Sequence, residues 1–381
     1  MGKIPFVPVV EFDNLKESLK EPIEYRKSGL SLNHIMGCPL DCSYCIRHTY
    51  DNYSMKKPHR LLTDKEAVEK LLNHKYFVPH KTPIQIFNRA TDPFLPNVKD
   101  SLFEVLSLLA NRGLTNNVIV ITRFKVSVDD AKRLNTFKPL KLNLFFTYSG
   151  IGNKSIEAVD SKIAENSLKM AFREREHYKV FLYWRPIIPG INDSEEHIRK
   201  AAELSTFSDG VAFTGLFFRE EIKKYYEENG LPLLYTDFAR RKIFPEKQEK
   251  MVLELFKKFK GEAIYRKTSC AIAGAWNEPD YNGHYGIKEL CDICSEKQVK
   301  VCEAQWVKPR EKNIDDCLKR IGASTSYKIS ERAIIFRSLP EQDRYFIQHN
   351  LGYQAHDSTK PHFIGRHGRA EIGWGESDVS E

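Results

Sequence analysis

The hydrophobic pattern changes character twice along the chain. Residues 1–28 are proline-spaced and mixed in charge, which predicts a strap laid over a core. From about residue 30, short apolar runs alternate with helical stripes. Leu30–Met36 reads as a strand, and Thr63–Leu72 reads as a helix with Thr63 or Asp64 at its N-cap. Ile84–Phe87 is the next strand. Leu102, Val105, Leu106 and Leu109 then fall on one helical face, with Gly113 as the stop. Val118–Ile121 is apolar throughout, as in strands buried on both faces. Leu140–Tyr148, Val180–Ile188 and Gly210–Phe218 read as further strands. Ile156, Val159 and Ile163 mark a helix between the first two of these. Asp193, with Glu196 at the capping-box position, starts another helix.

Six strands with intervening helices imply an α/β fold with a parallel sheet and right-handed crossovers. Six units suit an open, partial (β/α)6 barrel. Beyond residue 218 the rhythm breaks. Val252, Leu255, Phe256 and Phe259 form an i, i+3, i+4, i+7 stripe, read as a helix packed on the barrel. The expected organisation is a strap at 1–29, a core at 30–218, a cysteine-rich extension at 219–310 and a segment of unassigned role at 311–381. Its end, Gly365 to Gly375, reads as loop or an ordered tail.

At 381 residues, 41% of them hydrophobic, the chain can build one large domain with an appendage. No stretch reaches the roughly 18 apolar residues of a membrane span. The start has prolines and an early acid, Glu11, where a signal peptide needs an apolar core. A cytoplasmic protein without membrane contact is therefore expected. In that compartment thiols stay reduced, and eight cysteines read as ligands before disulfides. The net charge of +8, from 59 basic and 51 acidic residues, allows contact with nucleic acid without demanding it. The basic clusters Lys56-Lys57-Pro58-His59-Arg60 and Arg240-Arg241-Lys242 read as solvated surface.

The chemistry concentrates in Cys38, Cys42 and Cys45, which follow the first strand in a C-x3-C-x2-C loop. Strand C-termini are where βα barrels place their active sites. Three thiolates can hold three irons of a [4Fe–4S] cluster and leave the fourth iron open, whereas most electron-transfer clusters take four protein ligands. A zinc knuckle completed by His48 and a disulfide with a spare thiol are the alternatives. With Tyr44 before the last cysteine, the loop resembles the signature of the radical S-adenosylmethionine (SAM) superfamily. That resemblance implies a [4Fe–4S] cluster on Cys38, Cys42 and Cys45, with SAM bound at the open iron. It further implies reductive cleavage of SAM to a 5′-deoxyadenosyl radical, and an electron donor such as flavodoxin or ferredoxin.

The strand ends extend the resemblance over about half of the chain. The usual Gly-Gly-Glu after the second strand is absent. In its place stands Asn88-Arg89-Ala90-Thr91-Asp92-Pro93, whose Thr-Asp-Pro is similar to the spore photoproduct lyase-like branch, a DNA-repair lyase group. The resemblance makes Asn88, Thr91 and Asp92 candidates for the methionine amino group. Arg123 or Arg185 would pair with its carboxylate, since guanidinium suits bidentate carboxylate binding. Thr147 and Ser149 would meet the ribose, the segment Trp184 to Asp193, with Ile191, the adenine, and Tyr44 the cofactor site. A second group, Cys270, Cys291, Cys294 and Cys302, could hold an auxiliary [4Fe–4S] cluster or a structural Zn²⁺. Cys317 reads as a buried small hydrophobe.

The function expected is a radical SAM enzyme that abstracts hydrogen from a nucleic-acid or nucleotide substrate. A radical SAM enzyme of small-molecule biosynthesis or peptide modification, and a non-catalytic iron–sulfur protein, are the rivals.

Overall fold

The computed structural model describes residues 4–233, 235 and 246–360. The cluster Arg240-Arg241-Lys242 and the stretch 365–375 lie outside the described residues. Among those described, no helix is long and apolar enough to cross a membrane.

The strands in chain order are β1 (Ile23–Arg26), β2 (Gly29–Leu32), β3 (Ile35–Met36), β4 (His59–Arg60) and β5 (Ile84–Ile86). They continue with β6 (Asn117–Thr122), β7 (Lys141–Tyr148), β8 (Lys179–Ile187), β9 (Gly210–Gly215), β10 (Ile264–Tyr265), β11 (Tyr327–Ile329), β12 (Ala333–Phe336) and β13 (Gln354–Asp357). Eight form one open sheet in the order β1-β2-β5-β6-β7-β8-β9-β10. From β2 to β10 every pairing is parallel, and β1 alone runs antiparallel at the edge. The six strands read from the sequence are all present. Two short edge strands, β1 and β10, extend them on either side.

The two faces of the sheet differ. Val118, Val120, Leu142, Leu144, Val180 and Leu182 belong to the main core, shared with the helices that follow each strand. Ile119, Phe145, Phe181 and Ala212, one residue out of step with them, point the other way into a smaller aromatic cluster. Helix Glu246–Lys260 carries the predicted stripe. Its Phe256 stacks on Trp184 at 5.6 Å between ring centroids, while Phe259 is 38% exposed and ends the stripe one turn early.

Some expected boundaries move for identifiable reasons. Thr63 caps helix Asp64–Leu72 with a full capping box to Glu66. The helix expected from Ile156 instead begins at Ser161, because Asp160 accepts the Lys162 N–H and caps it there; Ile156 and Val159 are buried in the preceding loop. Ser194, not Asp193, caps helix Glu195–Ser205, and Asp193 accepts the Gly190 N–H instead. The single strand expected over Leu30–Met36 breaks at Asn33-His34, where the chain leaves β2 and pairs with β4 as a small hairpin.

The C-terminal part returns to the sheet edge. Helix Glu341–Leu351 packs against β1. Gln342 accepts the Tyr25 backbone N–H at 2.7 Å, and His349 meets the Tyr25 hydroxyl at 3.0 Å. The small sheet β11-β12-β13 lies next to this helix.

Removing the Phe256 ring is expected to cost about 3–5 kcal/mol, the usual range for a buried aromatic cut to alanine. Thermal unfolding should therefore show a clear drop in midpoint for Phe256→Ala and almost none for Phe259→Ala. Equal drops would mean that the stripe is buried over its whole length.

Candidate active site

The cysteine loop is fixed before any ligand is considered. At its neck Gly37 donates to the Ala90 carbonyl at 3.1 Å, and Cys38 N–H donates to Met55 at 2.9 Å. Gly37 has φ +103°, and a Cβ there would stand 2.1 Å from the Lys57 carbonyl oxygen, so the close pass of the two loop strands requires glycine. Within the loop the buried Arg47 guanidinium donates to the carbonyls of Cys38, Asn52, Tyr53 and Met55 at 2.6–3.0 Å. Cys45 N–H closes a turn onto Cys42. All eight cysteines of the chain are free thiols. Cys38 and Cys42 are buried and Cys45 half-buried, and all three face one cavity of about 450 Å³.

Among the described residues, His48 and the three thiols do not bring three donor atoms within 4.8 Å of one another. The His48 ring is stacked on Tyr53 at 3.7 Å and held against Tyr225, and burial, with Lys56 nearby, pushes its pKa down to about 4. Among the described residues, the group with three metal-type donors within 4.8 Å of one another is Cys270, Asp280 and His284, which is elsewhere.

A buried ion pair ties the loop to the strand ends. Arg123, just past β6, meets the Glu157 carboxylate at 2.8 Å, the Tyr44 hydroxyl at 2.6 Å and the Cys42 sulfur at 3.3 Å. Tyr44 donates to the same carboxylate, and Cys42 lies 3.4 Å from it. Burial opposes the charge on Arg123, but the Cys42 thiol and Glu157 together hold it firmly protonated. Burial pushes the Cys42 thiol up, partly offset by Arg123. Glu157 stands in the loop after β7 and carries no periodic or motif signal, so the sequence reading missed it.

Of the expected SAM contacts, Tyr44, Asn88, Thr91, Asp92, Arg123, Thr147 and Arg185 all line the cavity. Ser149 and Ile191 do not. The Ser149 hydroxyl accepts the Ile151 N–H, and Ile191 packs behind the loop with Cys42 and Tyr44. The seven differ in what they have free. The Asn88 side chain is locked between Ser31 and Gln85. The Asp92 carboxylate already accepts from Phe94 N–H, Thr122 hydroxyl and Arg123 N–H at 2.7–2.9 Å. With about four acceptor sites on a carboxylate, one is left on Oδ2. Burial raises the Asp92 pKa against these bonds. The Thr91 hydroxyl is buried and has no hydrogen-bond partner among the described residues. Arg123 is engaged by Glu157, whereas Arg185 lies over the Tyr183 ring with, among the described residues, the Tyr183 hydroxyl at 3.3 Å as its hydrogen-bond partner.

No family model and no curated protein matches the sequence. Solved structures of spore photoproduct lyase are similar to it. One, complexed with dinucleoside spore photoproduct, has a TM-score of 0.49 at 12% identity, covering 69% of this chain and 86% of that one. A double mutant of the same lyase with bound AdoMet and dinucleoside spore photoproduct gives the same values. Native anSMEcpe with bound AdoMet has a TM-score of 0.33 at 15% identity, covering 58% of this chain and 57% of that one.

Replacing Glu157 by Gln leaves the Arg123 cation without its counter-charge, which costs roughly 3 kcal/mol when such a pair is buried. Urea unfolding should register that loss for Glu157→Gln, and Arg123→Met/Glu157→Leu should lose less than the sum of its single variants. Strict additivity would mean the pair is not coupled.

Proposed function

We propose that the chain is a radical SAM enzyme built on a partial (β/α)6 barrel, with its core at 30–218. The observation that carries this reading is the placement of three free thiols on one rigid loop at the C-terminal mouth of a parallel sheet, facing a cavity with unsatisfied polar groups. The donor set fits a [4Fe–4S] cluster. It is three thiols on one loop, in a buried pocket where Arg123 also reaches the Cys42 sulfur. A cluster bound there would supply the electron for reductive cleavage of SAM, the chemistry that generates a hydrogen-abstracting 5′-deoxyadenosyl radical.

The chain's own residues do the rest. Cys38, Cys42 and Cys45 would hold three irons. The Arg123 N–H beside Cys42 offsets thiolate charge in a dry site, as hydrogen bonds to cluster sulfurs do. The unpartnered Thr91 hydroxyl and the remaining Asp92 lone pair suit an ammonium group. Arg185 is the guanidinium still open to a carboxylate, since Arg123 is held by Glu157. Thr147 offers a hydroxyl to the ribose. Arg26 of β1, and Gln342 and Tyr345 of helix Glu341–Leu351, also line the cavity. This lining would keep water from the site. Aromatic and cationic side chains together, Tyr183, Phe217, Arg26 and Arg185, suit a nucleotide or nucleic-acid substrate.

Anaerobic incubation with dithionite and SAM is expected to yield 5′-deoxyadenosine, and Cys38→Ala/Cys42→Ala/Cys45→Ala to yield none. Undiminished cleavage by the triple variant would overturn the reading. Arg185→Ala should weaken SAM binding about 10- to 150-fold, the worth of one charge-assisted hydrogen bond, and Thr91→Val about 2- to 10-fold, with iron content unchanged in both. Calorimetric titration measures this, and unaltered affinity for Arg185→Ala would move the carboxylate elsewhere. A nucleic-acid substrate requires binding that falls steeply with salt, which a gel-shift titration reads directly.

A further inference from the structure

The aromatic face of the sheet ends on a second group of thiols that the first site does not use. Tyr265, at the end of β10, is followed by helix Thr268–Trp276, which places Cys270 in its first turn. Cys270 is buried against Ile119, Phe145, Phe181 and Ala212, and Cys294 packs on the same cluster. The other thiols come from separate elements: Cys291 ends the short helix Lys288–Cys291, Cys294 follows in a turn closed by its N–H to Cys291, and Cys302 lies in helix Glu296–Gln305. They converge nonetheless. Cys291, Cys294 and Cys302 all act electrostatically on Cys270, and Cys291 and Cys302 act on Cys294.

We propose that Cys270, Cys291, Cys294 and Cys302 hold a second [4Fe–4S] cluster, at the foot of the sheet face whose other end forms the active cavity.

Hydrogen-bond donors reach two of the four thiols. N–H groups of Gly286 and Ile287 point at Cys291, that of Asp280 points at Cys302, and the Gln298 side chain donates to Cys302 at 3.4 Å. Gly283 has φ +65°, and a Cβ there would stand 2.3 Å from the Gly352 carbonyl oxygen, so the loop carrying these donors is pinned. Next to Cys270 lies a buried Asp280–His284 pair. Asp280 accepts from His284 Nδ1 at 2.9 Å and from its backbone N–H at 3.1 Å, and the ring stands 4.0 Å from the Cys270 sulfur. The carboxylate holds Nδ1, and the pair stands beside the Cys270 thiol.

Spacing favours iron–sulfur over zinc. Zn–S bonds of about 2.3 Å in a tetrahedron bring sulfurs to about 3.8 Å of one another. Among the described residues, no three of these four sulfurs lie within 4.8 Å of one another, and neither do those of Cys38, Cys42 and Cys45. A four-iron cube, with a thiolate at each corner, needs that wider spread. The period of two along the strands then links the two centres. Phe145 leads to Thr147, Phe181 to Tyr183 and Arg185, and Ala212 to Thr214, so one face runs from the second thiol group to the cavity. Tyr183 and Thr268, which is two residues before Cys270, line that cavity.

The test uses the full chain, purified anaerobically. The variant Cys38→Ala/Cys42→Ala/Cys45→Ala should retain about four irons and four sulfides with no zinc, and the wild type about eight irons. Cys270→Ser/Cys291→Ser/Cys294→Ser/Cys302→Ser should retain about four. In the reduced wild type, electron paramagnetic resonance should contain two cluster signals, of which SAM perturbs one. One zinc, or no metal, in the N-terminal triple variant overturns the proposal. A wild type with four irons and a triple variant with none removes the second centre and leaves the first reading standing. Four irons in both removes the first centre and leaves the second.

Discussion

Arg123 is a cation placed where water cannot reach it well, and much of the site follows from how it is neutralised. Its guanidinium needs an acid, and Glu157 arrives from the loop after β7 to supply one. Tyr44 and Cys42, from the cysteine loop, join the same pair. Segments that follow β2, β6 and β7 are thereby held together by one charge balance. A buried pair of this kind is weak evidence for net stability, but breaking it is costly, so it fixes geometry. Here it sets the position of Cys42, and with Arg47 pinning the opposite side of the loop, the three thiols have little freedom left.

The sheet supplies the second constraint. Parallel strands must be covered on both faces. One face is covered by the helices that follow the strands. The other is covered by aromatic rings and the helix carrying Cys270, and beyond them it opens on the cavity that helix Glu341–Leu351 also lines. What sequence order scatters over more than 300 residues, the pleat sorts into two faces.

Much of this was legible in the sequence, and the limits were physical. The six parallel strands announce themselves as apolar runs, and the C-x3-C-x2-C loop follows the first of them. β10 is two residues long, too short for any pattern, and β1 lies in a stretch read as a strap. Ile156 and Val159 have helical spacing, yet they are buried because the loop folds under, and Asp160 starts the helix only after them. The cavity gathers Thr91, Asp92, Thr147 and Arg185 as expected. That Arg123 is taken and Arg185 is open depends on Glu157, which nothing in its neighbourhood marks. The convergence of Cys270 with Cys291, Cys294 and Cys302 likewise depends on how three short helices dock.

Helix Glu341–Leu351, which accepts the Tyr25 N–H and walls the cavity, gives the chain a vectorial history. Synthesis delivers the thiol loop first and the helix that faces it some 300 residues later. At ribosomal speeds of roughly 5–20 residues per second, that interval is tens of seconds. During it the cavity has a floor and one side but no lid, and the edge strand β1 has no C-terminal cover. The nascent chain thus passes through a period in which its thiol loop is made but the helix that completes the lining of the cavity is not.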